Sequence, residues 1–200
     1  MRDFNLYSNN IVTALINSDA VSDKTRQVLL ERLEERQGHP LFFSTHHYDL
    51  LTTLCDILMA QNPDRRICNP AQSIDKRLAE EQSDGWRYDK MPNDKLAFTN
   101  GLNAVDEFAI ALFEIPFLSI TFAQQVALLE KIQAGETQGN SWKNLTPELF
   151  FEDLLAEVTA IFYSHPLLQQ EIGFVGMADV NGWQNIGLNS KDPIEPDEII

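Results

Sequence analysis

The stretch Thr146–Pro166, TPELFFEDLLAEVTAIFYSHP, reads as one long helix with both ends marked. Thr146 is placed as the cap, and Pro147 takes the first helical position, where its missing N–H leaves no bond unmade. Leu149, Phe150, Phe151, Leu154, Leu155, Val158, Ile161 and Phe162 then recur at helical spacing. Their arc is wider than a helix lying on a surface needs. The spacing therefore predicts the central helix of an all-α bundle, with Pro166 stopping it and His165 at its negative C-terminal end, where a cation is favoured.

The segments before it agree. A helix is expected over Ser22–Gln37, capped by Ser22, ended by Gly38 and striped by Val28, Leu29 and Leu33. Asn10–Asn17 holds a short amphipathic piece. After Pro40, a helix capped by Ser44 or Thr45 carries Tyr48, Leu51, Leu54, Cys55 and Leu58 on one face, and Leu41, Phe42 and Phe43 sit where a hydrophobic staple folds back. A more polar helix over Pro70–Gln82 runs into the Ser83-Asp84-Gly85 turn, and the next spans Asn93–Phe113 before Pro116. Thr121-Phe-Ala-Gln124 is a capping box opening a helix that ends at Gly135. From Ser164 the pattern breaks into recurring glycines (Gly173, Gly176, Gly182, Gly187) with Phe174, Trp183, Ile186 and Leu188 between them. The expectation is a single helical domain, 1–200, of five to six helices. Residues 1–20 form an arm, and 164–200 an irregular, extended, glycine-rich segment. No segment has a strand period long enough to anchor a sheet.

A hydrophobic fraction of 44% and a charged fraction of 22% suit a globular chain. The net charge of −15 argues against nucleic acid or an anionic membrane surface as partner. No apolar run is long enough to span a bilayer. From Glu136 onward there are eleven acidic residues against Lys143 and Lys191, an excess that serves solubility in the first place and, as the sharper reading, suits that half to a basic surface on another protein. The N-terminus, MRDFNLYSNN, lacks the basic and apolar regions of a secretory signal. The expected location is cytoplasmic as the chain is written, and periplasmic if a leader has been removed. Cys55 falls on an apolar helix face and reads as a buried thiol; with Cys68 it makes no disulfide framework.

Templates for chemistry fail one after another. His46 and His47 are adjacent and cannot both face one ion from the same side of a helix, and no HExxH or CxxC accompanies them. There is no Gly-x-Ser-x-Gly elbow, and Gly173-Phe-Val-Gly176 is not a dinucleotide loop. His165 with Glu171 is the remaining candidate for a stand-alone enzyme or ligand-binding protein, with His165 as general base. The expectation for this chain is no catalytic, cofactor-binding or metal-ligating residue.

In order, the motifs are FFSTHHYDLLTTLCDILMAQ, IDKRLAEEQSDGWRYDKMP, AQQVALLEKIQAGE, LTPELFFEDLLAEVTAIFYSHPLLQQEIGFVG and NGWQNIGL. This set resembles the gluconate 2-dehydrogenase subunit 3 family, the small (gamma) subunits of flavin-dependent sugar and sugar-acid dehydrogenases, over about Leu41–Asp192. The resemblance implies a non-catalytic accessory subunit that binds a large FAD-containing subunit of the glucose–methanol–choline type and assists its maturation. FAD then belongs to that partner, and a cytochrome c subunit often completes the complex. Family members typically carry a twin-arginine leader, whereas Arg65-Arg66 here is internal. Trp86, Arg87 and Tyr88 of the DGWRY loop, with His165, Phe174 and Trp183 after the long helix, are the expected contact residues, because aromatic and arginine side chains dominate interface energetics. In the partner's absence, the aromatic residues of the tail are suited to self-association.

Overall fold

The structure is a computed structural model and describes residues 12, 14, 16–19, 21–33, 39–83, 88–172, 179 and 187–191. Over them the chain is all-α, with no strand. Its helices are α1 (Asp23–Leu33), α2 (Thr45–Leu58), α3 (Pro70–Ala79), α4 (Asp94–Phe113), α5 (Phe122–Gln133), α6 (Pro147–Ser164) and α7 (Pro166–Glu171). Two compact units form: a larger one of Gln37–Ile161, and a terminal one made from both chain ends, Met1–Arg36 and Phe162–Ile200.

Helix starts in the larger unit follow the side chains that can take an orphan amide. Ser44, rather than Thr45, caps α2 by accepting from the His47 N–H at 3.2 Å, and Asn93 caps α4 through the Leu96 N–H at 3.1 Å. The capping box of α5 forms as expected. The Thr121 hydroxyl accepts from the Gln124 N–H at 3.4 Å, and the Gln124 side chain accepts from the Thr121 N–H at 2.9 Å. α3 and α6 begin on Pro70 and Pro147 instead. α4 ends on Glu114 in the left-handed conformation, φ 64°, two residues ahead of Pro116.

At the heart of the larger unit stands α4 rather than α6. α4 buries eight residues, among them the small Ala97, Gly101, Ala104 and Ala109, which let neighbouring helices approach closely. The wide apolar face of α6 is shared out differently: Leu155 and Ile161 are only half-buried, and Phe162 belongs to the terminal unit. A Cβ on Gly101 would lie 2.1 Å from Cε2 of Phe150. That ring cannot easily retreat, because Phe98 and Trp142 meet it edge-on with centroids at 6.4 and 6.1 Å. Gly101→Val should therefore cost about 2 kcal/mol, overpacking outweighing the gain in helix propensity, and a urea titration measures it. A stability equal to wild type would show that Phe150 has room to shift.

The terminal unit packs Val12, Ile16, Val21 and Leu29 together, with Leu33 and Leu167 against them. Arg26 donates to three backbone carbonyls, those of Ile16, Ser18 and Val21, taking up acceptors left over where the chain turns between two helical stretches. The Ser22 hydroxyl accepts the Thr25 N–H at 3.4 Å, as the capping reading expects. Asp179 joins the same cap from the other end of the chain, accepting from the Ser22 N–H at 2.7 Å and its hydroxyl at 3.1 Å. Those bonds hold its carboxyl below the usual range. The expectation of extended chain from Ser164 onward is corrected over Pro166–Glu171, which is helical. Pro166 ends α6 and is also the first residue of α7, the position where proline is best tolerated.

Candidate functional site

Trp86, Arg87, Phe174 and Trp183 lie outside the described residues; Tyr88 and His165 lie within them. In the larger unit, the structure shows how the flanks of residues 84–87 are held. α3 stops at Ala79, Glu81 takes a left-handed φ of 58°, and the Gln82 N–H returns to the Arg77 carbonyl at 3.0 Å. Beyond the loop, the Tyr88 carbonyl accepts the Met91 N–H at 2.9 Å, and Met91 is buried. The Tyr88 ring packs on the core, and its hydroxyl bonds to Glu152 of α6, which raises the phenol above its ordinary value.

Arg77 is the hub of this base. Its Nε and Nη2 meet the two oxygens of Glu157 at 2.7 and 2.9 Å, and its Nη1 reaches Asp94 at 2.5 Å and the Gln82 carbonyl at 3.0 Å. One planar fork thus joins α3, α4, α6 and the backbone at the loop's entry, a task a lysine ammonium could not perform. Burial works against the guanidinium, but its bonds to Glu157 and Asp94 prevail and raise its pKa. Burial pushes the Glu157 carboxyl up, and the Arg77 pair only partly offsets that.

A second support lies alongside. Lys95 pairs with Glu81 at 2.9 Å and stands 5.5 Å over the Phe42 ring. Phe42 belongs to a segment whose Leu41, Phe42 and Phe43 N–H groups converge on the carboxylate of Asp75, at 2.5, 3.1 and 2.9 Å. Asp75 is 2% exposed. This cradle corrects the staple expectation in part. Phe43 is buried and Phe42 packs on the core, but Leu41 is turned out and 68% exposed. Leu96, next to Lys95 in the chain, is 52% exposed. The result is a partly apolar base, tied together by ion pairs and backbone bonds, on which the residues flanking 84–87 are held.

Both histidines of α2 have side-chain partners, and Cys55 is buried. His46 bonds to Asp106, which also accepts the Phe117 N–H at 2.9 Å; His47 meets Asn103 at 3.0 Å. Cys55 is buried, and burial raises its thiol well above the ordinary value, which makes it a poor nucleophile. Among the described residues no three His, Cys, Asp or Glu side chains are grouped to hold a metal ion. No described helix is long and apolar enough to cross a membrane.

His165, in the terminal unit, is 4% exposed, and its Nδ1 has no hydrogen-bond partner. A general base needs an orienting partner there. Burial pushes its pKa down to about 4, so the expected cation at the end of α6 is a neutral imidazole instead. With the folded value below the unfolded one near 6.5, the contribution to stability is complete above pH 6.5 and is lost as pH falls toward 4. About 2 kcal/mol should disappear between pH 6.5 and pH 5. Urea midpoints at the two pH values measure it, and His165→Gln should flatten the difference; an equal slope in the variant would assign it to other groups.

None of Arg77, Asp75, Lys95 and Glu157 stood out in the sequence. Their roles depend on which helices pack together, and only the order DKR (Asp75-Lys76-Arg77) on an otherwise polar helix hints at them.

Searches among curated proteins and among solved structures return no match. The family model for gluconate 2-dehydrogenase subunit 3 matches residues 45–188. That span opens at the first residue of α2 and takes in α2 to α7, with the Arg77 hub. By that match, over most of its length, the chain belongs to the gluconate 2-dehydrogenase subunit 3 family.

Proposed function

We propose that this chain is the non-catalytic small subunit of an FAD-dependent sugar or sugar-acid dehydrogenase, binding the large flavoprotein subunit and assisting its maturation. The observation that carries this reading beyond family membership is the base described above. Arg77, Lys95 and Tyr88 spend their polar groups on fixing the flanks of residues 84–87, an arrangement suited to presenting a loop and not to turning over a substrate. FAD resides in the partner, of the glucose–methanol–choline type, and a cytochrome c subunit accepts the electrons. The DGWRY loop and the chain beyond Tyr163 are the contact segments.

Co-expression with the FAD-binding large subunit of the same genome tests this. The two chains should co-purify with flavin absorbance, and omitting this chain should lower the yield of flavin-loaded large subunit. The chain alone should purify without flavin. Oxidation of sugars by the isolated chain would overturn the reading.

A further inference from the structure

The corner between α4 and α5 carries an exposed apolar knob. From Ile110 to Ile115 no residue is buried, a run longer than one helical turn. Of that run only Phe113 packs on the core, and the other residues of the turn are exposed. What it presents is Ile110, Ala111 and Leu112, then Ile115, and Phe122 at 68% exposure on the first turn of α5. Large apolar side chains rarely cluster in solvent without a partner.

The corner is also stiff. Phe117 between the two helices is buried, its N–H donates to Asp106 of α4 at 2.9 Å, and its carbonyl accepts from Gln125 of α5 at 3.1 Å. Ile115 and Phe122 are therefore held from a preorganised turn, which favours tight docking. The charges set the kind of partner. Between Lys95 and Glu130 there is no Lys or Arg, and the acids are Asp106, Glu107 and Glu114. Asp106 faces His46, and Glu107 is engaged by the Asn140 and Ser141 amides with Lys143 nearby. Glu114 stands exposed within the knob itself. A twofold pair would place the same Glu114-bearing patch on both sides of the contact, between two chains each at −15, which disfavours a second copy.

We propose that the Ile110–Ile115 knob with Phe122 docks into an apolar hollow, rimmed by Lys or Arg, on the large flavoprotein subunit. This rests on the functional reading above. The test is Ile115→Glu with Phe122→Ser, and separately Glu114→Lys, each co-expressed with that large subunit and assayed for affinity by interferometry. The double variant should bind at least ~30-fold more weakly, and Glu114→Lys about 10-fold more weakly, with unchanged circular dichroism. If wild type forms no complex, the functional reading fails and this inference with it. If wild type binds and the variants bind within twofold of it, the knob inference alone is overturned. A wild-type homodimer abolished by the double variant also overturns it, since the knob would then serve self-association.

Discussion

Asp75→Ala is expected to lower the stability of the larger unit by about 4 kcal/mol and its melting temperature by about 10 °C. The carboxylate is buried and accepts three successive backbone N–H groups, from Leu41, Phe42 and Phe43. Hydrogen bonds to an ionised acceptor are about twice as strong as neutral ones, and an alanine leaves three donors facing a void. Partial rehydration of the Leu41 amide, which lies nearest solvent, keeps the loss below the sum of three full bonds. Asp75→Asn should fall in between, at about 2 kcal/mol: its amide keeps one acceptor oxygen but turns an NH2 toward N–H donors. Urea denaturation with an unchanged m-value measures both. If alanine costs less than 1 kcal/mol, water replaces the carboxylate and the cradle does not hold the segment.

Local chemistry was legible in the sequence because it depends on residues close together in the chain. The Thr121–Gln124 capping box and Pro147 opening α6 needed only the first helical turn to be judged, and the cap of α2 was narrowed to Ser44 or Thr45, of which the structure uses Ser44. Pro166 was half legible. Its power to end α6 was plain, but the same residue starts α7, and six residues are too few for periodicity to register. The placing of α4 at the centre was hidden for a different reason. Alanine and glycine count little in an apolar tally, yet at Gly101 the absence of a side chain is what admits Phe150. The base of the 84–87 loop was the least legible part. Arg77, Asp94 and Glu157 are polar residues on three helices, and they become a unit only when those helices pack. The Ser83-Asp84-Gly85 turn was read from local residues, family resemblance suggested its contact role, and the structure supplies the bonds at the flanks of residues 84–87.

Arg77→Met should also cost about 4 kcal/mol, since removing one partner of a buried ion pair leaves the other charge uncompensated. Glu157 bears most of that loss: it loses two bonds and keeps its burial, while Asp94 sits near the start of α4 and can hydrate. The deficit should shrink as pH falls from 8 to 5. Without the guanidinium, the folded-state pKa of Glu157 rises further, and the protonated acid is tolerated where the carboxylate is not. A double variant, Arg77→Met with Glu157→Leu, removes the stranded charge and fills its space, so it should recover most of the stability. It cannot restore the bond from Arg77 to the Gln82 carbonyl, which holds the loop's entry. The two effects should therefore separate. The double variant should melt within a few degrees of wild type, yet bind the large flavoprotein subunit proposed as its partner about 10-fold more weakly, because the flank at Gln82 would no longer be held in advance of docking. If binding recovers along with stability, Arg77 holds the helices together and has no part in presenting the loop.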